Sequence, residues 1–135
     1  MSDIDTLNDE LLSKAQVASE NAYSPYSRIK VGAVVVGRDG QLYSGCNMEN
    51  ASYGLTQCAE RNALAAAIAA GEQRGSMKTL LVYSSEFETL SPCGACRQVI
   101  HEILADDAQI ISCSARDEPK SWTVEELLPD PFCLD

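Results

Sequence analysis

The sequence predicts an α/β fold, a three-layer α/β/α sandwich on a central mixed sheet of about five strands, in one domain spanning residues 1–135. Three observations carry this expectation. The apolar patterns follow the order helix, hairpin, helix, strand, helix, strand, which suits a mixed sheet flanked by helices. The first predicted strand sets Val34, Val35 and Val36 side by side, so both of its faces are apolar and the sheet needs a cover on each side. A chain of 135 residues, 45% apolar and 22% charged, can bury one core but hardly two.

Leu11, Ala15, Ala18 and Ala22 recur at helical spacing, predicting an amphipathic helix over about residues 6 to 22. Ser24-Pro25-Tyr26-Ser27 ends it, because proline restricts its predecessor and cannot continue the ladder. Lys30 to Gly37 and Gln41 to Asn47 flank Arg38-Asp39-Gly40 and read as a β-hairpin. A second helix is expected from about Gln57 to Ala70, with Thr56 as N-cap and Gly71 near its end. Lys78 to Ser85 reads as a buried strand. A third helix is expected from Pro92, with Ser91 as N-cap and proline in the first turn, where its missing N–H costs nothing. Strands at Ala108 to Ser114 and Lys120 to Trp122 follow, then a helical turn at Val124 to Leu128. No linker, repeat or low-complexity segment interrupts the chain.

Acidic residues outnumber basic ones 20 to 10, for a formal charge of −10. Such a field repels phosphate backbones and anionic lipid surfaces, which excludes a nucleic-acid polymer as partner and favours a small neutral ligand. No stretch approaches the ~18 apolar residues that span a bilayer. The acidic start, Met1-Ser2-Asp3-Ile4-Asp5, lacks an apolar signal core, so a cytoplasmic location is expected. The 6 cysteines would suit disulfides in a secreted, core-poor chain, but this core is adequate and two of them form Cys-x-x-Cys. Reduced thiols and a metal are expected instead.

The chemistry sits in Cys58-Ala59-Glu60-Arg61 and Pro92-Cys93-Gly94-Ala95-Cys96-Arg97-Gln98. Cys58 and Cys93 each fall at the start of a predicted helix, where partial positive charge and free N–H groups favour thiolate. Cys93 and Cys96 are three apart and share a helix face. Two helices docked with amino ends together would bring three sulfurs to one point. Zinc in catalytic sites takes three protein ligands and leaves a fourth position for water, whereas a closed structural site has no use for a neighbouring acid. Arg61 can donate to the sulfurs and restore some electrophilic character to the metal. Glu60 is placed to take a proton from metal-activated water and pass it on.

Other readings remain beside this one. Cys-x-x-Cys alone is shared by zinc knuckles and redox motifs, and Cys46 could serve as a fourth structural ligand, though that leaves Glu60 and Arg61 unexplained. Cys113 reads as core, Cys133 has no role, and His101, mid-helix, finds no relay partner nearby in the sequence. Asn47 and Asn50 would suit a turn after a strand, although Glu49 between them fits pure turn chemistry poorly.

A ligand-x-Glu followed by Pro-Cys-x-x-Cys is the described signature of zinc nucleobase deaminases. Ser24-Pro25-Tyr26-Ser27, Val31-Gly32-Ala33, Gly45-Cys46-Asn47-Met48-Glu49-Asn50-Ala51-Ser52-Tyr53 and Leu127-Leu128-Pro129 extend the match, and over most of its length the chain resembles the short, homotetrameric, zinc-dependent class of cytidine deaminase. The resemblance implies zinc on Cys58, Cys93 and Cys96, proton transfer by Glu60, and contact of Arg61 with the zinc thiolates. It implies that Asn47 and Glu49 hold the ribose hydroxyls and that the backbone around Ala59 and Ser91 meets the base or bound water. Tyr53 and Phe132 would reach a neighbouring subunit's pocket in a homotetramer, Phe132 covering the pyrimidine. Ile29 stands where the family commonly has phenylalanine, keeping the apolar surface without the ring. The implied reaction is hydrolytic deamination of cytidine and 2′-deoxycytidine in pyrimidine salvage. The rivals are a related zinc deaminase with another substrate and a non-enzymatic zinc-stabilised module.

Overall fold

The computed structural model describes residues 3–86 and 88–134; the sequence start at Met1-Ser2 lies outside them. Helix α1 (Asp3–Glu20) leads to strands β1 (Val31–Val36) and β2 (Leu42–Cys46). A 3-10 turn at Tyr53–Leu55 precedes α2 (Ala59–Ala69), and β3 (Thr79–Ser84), α3 (Gly94–Ile103), β4 (Gln109–Ser114), β5 (Lys120–Thr123) and α4 (Val124–Leu127) complete the order. The five strands form one sheet in the order β2-β1-β3-β4-β5. β3 and β4 pair in parallel and every other neighbouring pair is antiparallel, the mixed sheet expected from the sequence.

Strand pleating divides the core into two layers. Val34, Leu81, Tyr83, Ile111 and Cys113 face one side, where Leu11 and Ala15 of α1 cover them. Their neighbours Ala33, Val35, Leu80, Val82 and Ile110 face the other, against Ala63, Leu64 and Ala67 of α2, Cys96 and Ile100 of α3, and Val124 and Leu127 of α4. Each fully buried leucine, isoleucine or valine contributes about 1.5–3 kcal/mol. Ion pairs among the described residues, Arg38–Asp39, Arg74–Glu102 and Lys78–Asp107, are exposed contacts at 3.9, 3.5 and 3.5 Å, each worth at most about 1 kcal/mol. Apolar burial therefore decides the fold.

Two glycines set the depth at which helices lie on the sheet. A Cβ on Gly32 of β1 would stand 2.0 Å from Ala15 O in α1, and one on Gly45 of β2 would stand 2.4 Å from Ala63 N and 2.7 Å from Ala59 O in α2. Only a residue without a side chain lets these backbones approach so closely. Asn62 Nδ2 donates to Cys46 O at 2.8 Å and reinforces the α2–β2 contact beside Gly45. The first turn of α2 carries Glu60 and Arg61, so β2 fixes where the site can form.

At the far end of α2, the N–H groups of Gly71 and Glu72 close the helix on Ile68 O and Ala67 O, each at 3.0 Å, the Schellman pattern. Glu72 Oε1 then accepts the Arg38 N–H at 3.0 Å and its Oε2 accepts the Tyr43 hydroxyl at 2.8 Å, tying the β1–β2 turn to that helix end. Thr123 and Glu126 form a capping box at α4, which makes a helix of so short a turn. Replacing Gly45 by alanine is expected to lower the unfolding free energy by about 1–3 kcal/mol through overpacking against the α2 backbone, as read from denaturant titration, and to reduce zinc retention with it.

Candidate active site

α2 and α3 meet at their amino ends, and each begins on a cysteine. Cys58 is the N-cap of α2 (φ −77°, ψ 154°) and Cys93 the N-cap of α3 (φ −68°, ψ 166°). The sequence predicted Thr56 and Ser91 in these roles, with the third helix starting at Pro92; the structure sets both caps two residues later. The predicted caps have other partners: Thr56 Oγ1 accepts the Asn50 N–H at 3.3 Å, and Ser91 Oγ accepts from Arg97 Nη2. Neither cysteine side chain turns back to cap its own helix. The sulfurs project beyond the helix ends instead.

Cys96, in the first turn of α3, joins them from the core, where it is fully buried. The three sulfurs lie within 4.8 Å of one another, with Cys58 Sγ and Cys93 Sγ 3.7 Å apart. Thiolates at about 2.3 Å from a tetrahedral zinc stand roughly 3.8 Å from each other, so this donor set fits zinc. Cys46 does not belong to the cluster, and the closed four-cysteine site is not formed.

Arg61 Nη2 donates to Cys58 Sγ at 3.3 Å, and its buried Nε has no partner among the described residues. Cys58 is held below the ordinary thiol range, first by the hydrogen bond from Cys96 and then by Arg61 and Cys93, against the opposing cost of burial. Cys96 is pushed up, first because it gives that bond and then by burial. Glu60 is only 6% exposed, and burial, with the Cys58 charge adding to it, pushes its carboxyl above the usual carboxylate range.

Above the sulfurs is a cavity lined by Ser27, Ile29, Val31, Asn47, Thr56, Gln57, Cys58, Ala59, Glu60, Val82, Leu90, Ser91 and Cys93. A second cavity, lined by Tyr26, Ser27, Glu49, Tyr53 and Thr56, adjoins it through Ser27 and Thr56. Neither lining contains a lysine or arginine. The structure thus brings Ile29, Asn47, Ala59 and Ser91 to the cysteines and Glu60, and sets Glu49 and Tyr53 next door.

Segment 47–49 is stitched to both flanks, with the Glu49 N–H donating to Tyr23 O at 2.8 Å and Met48 exchanging two 2.9 Å bonds with Gln57. Asn47 is no turn residue: its Oδ1 accepts the Val31 N–H at 2.9 Å and its Nδ2 donates to Ile29 O at 2.8 Å. One donor and one acceptor position remain on that amide. Asn50 does serve a turn, accepting the Ser52 N–H at 2.8 Å.

Phe132 does not line the cavity within its own chain. It is 69% exposed, and Gln98 Nε2 donates to its carbonyl at 2.9 Å. Arg97 had no role in the sequence reading, yet it donates to Pro92 O and Leu127 O, both at 2.8 Å, and so fixes the approach to Cys93. His101 Nε2 lies 3.4 Å from Cys133 Sγ, a pairing that spacing along the chain did not suggest. Cys113 is core as expected, its thiol pushed up by burial.

Three converging cysteine sulfurs beside a buried carboxyl group, at the joined ends of two helices on a mixed sheet, define a zinc hydrolase of the nucleobase-deaminase type. The family model for the cytidine and deoxycytidylate deaminase zinc-binding region matches residues 5–112, and the chain belongs to that family. It is 40% identical to the cytidine deaminase of Sporosarcina psychrophila over 92% of this chain and 90% of that protein. It is 43% identical to that of Halalkalibacterium halodurans over 93% of each. The crystal structure of cytidine deaminase from Burkholderia pseudomallei superposes with a TM-score of 0.88 at 40% identity, covering 98% of this chain and 100% of that one.

In metal-free protein, Cys58 is expected to react with iodoacetamide at mildly acidic pH, where an ordinary thiol of pKa about 8.5 is nearly inert. Peptide mass spectrometry should find it alkylated well before Cys113, and Arg61→Ala should slow the reaction by removing a donor to the thiolate.

Proposed function

We propose that this protein hydrolyses cytidine and 2′-deoxycytidine to uridine and 2′-deoxyuridine, releasing ammonia. The observation that carries the reading is a carboxyl group, Glu60, buried in the same cavity as three sulfurs spaced for zinc. Burying a carboxyl is costly, and a merely structural zinc site needs none. Zinc held by Cys58, Cys93 and Cys96 would supply a Lewis acid that makes bound water nucleophilic near neutral pH. As the water oxygen bonds to C4, Glu60 takes one of its protons and places it on N3 of the pyrimidine. Glu60 then takes the remaining proton from the new C4 hydroxyl and delivers it to the amine, which leaves as ammonia while C4 becomes a carbonyl. Burial strengthens the Glu60 carboxylate as a proton acceptor, which suits the first transfer. Arg61, donating to Cys58, moderates the negative charge of three thiolates.

The substrate is read as a nucleoside. Asn47 and Glu49 offer a donor and acceptors to the sugar hydroxyls, the backbone at Ala59 and Ser91 meets the base or water, and Ile29 with Val82 supplies apolar wall. A nucleotide is disfavoured because neither cavity has a cationic side chain in its lining. Hydrogen bonds from Ser27 and Tyr26 hold Glu49 below the usual carboxylate range, so it stays ionised and repels phosphate. The charge of −10 disfavours nucleic-acid polymers.

The assembly is read as a homotetramer whose sites are completed by neighbouring subunits. Tyr53, Tyr23, Met48, Leu55 and Phe132 expose between 51% and 75% of their surface, apolar side chains that a neighbouring subunit would take out of water. Tyr53 and Phe132 would then reach a neighbour's pocket. All six cysteines are free thiols, which supports a reducing, cytoplasmic setting. No helix among the described residues is long and apolar enough to cross a membrane.

Zinc-loaded protein incubated with cytidine should show the ultraviolet change of conversion to uridine. Glu60→Gln should keep its zinc and lose about 10²–10⁴ in kcat; undiminished turnover in that variant removes the proton-transfer role. No turnover of either nucleoside by zinc-loaded wild type rejects the assigned substrate. Sedimentation should give four times the 14.6 kDa chain mass, and a monomeric species with full activity would reject completion of the site by neighbours.

A further inference from the structure

The connection between α1 and β1 hangs on one carboxylate. Glu49 Oε1 accepts the Tyr26 N–H at 2.9 Å and the Ser27 N–H at 3.1 Å, while Oε2 accepts the Ser27 hydroxyl. Ser27 Oγ in turn accepts the Ile29 N–H at 3.0 Å. Between Ser27 and Ile29 stands Arg28 with φ 63°, a left-handed conformation that a residue bearing a Cβ adopts only where its surroundings impose it. The Arg28 N–H closes this turn on Ser24 O at 2.9 Å.

Ser27 lines both cavities, the one with the cysteines and the one with Glu49. Its hydroxyl carries a single hydrogen, and that hydrogen is committed to Glu49. A carboxylate offers about four acceptor positions; protein donors fill three on Glu49, which leaves one for a ligand. The hydroxyl bond is the only one of the three on Oε2, so it sets the rotation of the carboxylate about its own axis. Ile29, by contrast, has a second anchor. Asn47 Nδ2 donates to Ile29 O at 2.8 Å and Asn47 Oδ1 accepts the Val31 N–H at 2.9 Å. Loss of the Ser27 hydroxyl therefore falls on Glu49 and spares the apolar wall beside the base.

We propose that Ser27 is a positioning residue for the sugar half of the nucleoside, acting by aiming the remaining acceptor of Glu49 at a sugar hydroxyl. The inference rests on the reading of Glu49 as a sugar-binding residue. It assigns a function to the Ser24-Pro25-Tyr26-Ser27 segment that the metal chemistry leaves without one.

The test compares Ser27→Ala and Glu49→Gln with wild type, all zinc-loaded and full length, on cytidine and on 2′,3′-dideoxycytidine. Ser27→Ala should raise the KM for cytidine about tenfold, the scale of one oriented hydrogen bond to a charged group, with kcat within about twofold and zinc content unchanged. On the dideoxy ligand, read as KM or as an inhibition constant against cytidine, the effect should shrink below about twofold, because neither the 2′- nor the 3′-hydroxyl remains for Glu49 to meet. Equal losses on both ligands, or a loss confined to kcat at full zinc content, overturn the proposal. An unchanged KM in Ser27→Ala beside a raised KM in Glu49→Gln overturns it alone. An unchanged KM for cytidine in both variants overturns the sugar-binding reading of Glu49 and this inference together.

Discussion

Two helices begin with their first sulfurs 3.7 Å apart, and that juxtaposition has an electrostatic cost that the rest of the site offsets. Each helix N-terminus carries roughly half a positive charge, so two of them side by side repel. Sulfurs at both N-caps and in the first turn of α3 would, once all deprotonated, reverse the sign and then repel one another. Arg61 relieves part of this from one side, and a divalent cation relieves the remainder from the other. Their neighbours hold the Cys58 thiol low and push the Cys96 thiol up. Ligand thiols give up their protons to a metal, so zinc affinity and the folded state are coupled through the same residues.

Backbone proximity makes the arrangement possible. Gly45 permits α2 to lie against β2 with no side chain between them, and the buried Cys96 and Ile100 seat α3 on the same layer of core as Ala63 and Leu64 of α2. The cysteine caps gain nothing by folding back on their helices, because a thiol is a weak hydrogen-bond partner. A serine or threonine at the same place would turn its oxygen inward to the helix N–H groups. The choice of sulfur therefore explains both the open helix ends and the direction of the ligands.

Carboxylates carry a second theme in this acidic chain. Glu49 gathers the α1–β1 connection and Glu72 gathers the β1–β2 turn, each by accepting backbone N–H groups from residues distant in the sequence. Glu49 is lowered in pKa first by the Ser27 hydroxyl and then by those backbone bonds, and Glu72 first by the Arg38 N–H and then by the Tyr43 hydroxyl, whereas burial raises Glu60. The same functional group is thus a charged clamp at two places and, at a third, a buried carboxyl that holds a proton more tightly. Environment alone separates the roles.

Residue type and spacing made the metal ligands legible in the sequence, since Cys-x-Glu and Pro-Cys-x-x-Cys state which side chains share a helix end. Consecutive valines in β1 announced a sheet covered on both faces, and β3 was visible in the apolar run Leu80-Leu81-Val82-Tyr83. The caps were misassigned to Thr56 and Ser91 because propensity favours hydroxyls there, and propensity cannot register that those hydroxyls bond to Asn50 and Arg97 instead. Nor could spacing reveal that Asn47 grips Ile29 and Val31, that Arg97 joins Pro92 to Leu127, or that His101 meets Cys133. The sequence by itself determined the donor atoms and the order of the elements, because these are properties of residues and their near neighbours. Which hydrogen bonds aim those atoms was decided only in the tertiary structure, where packing α2 and α3 onto one sheet brings together groups 16 to 35 residues apart.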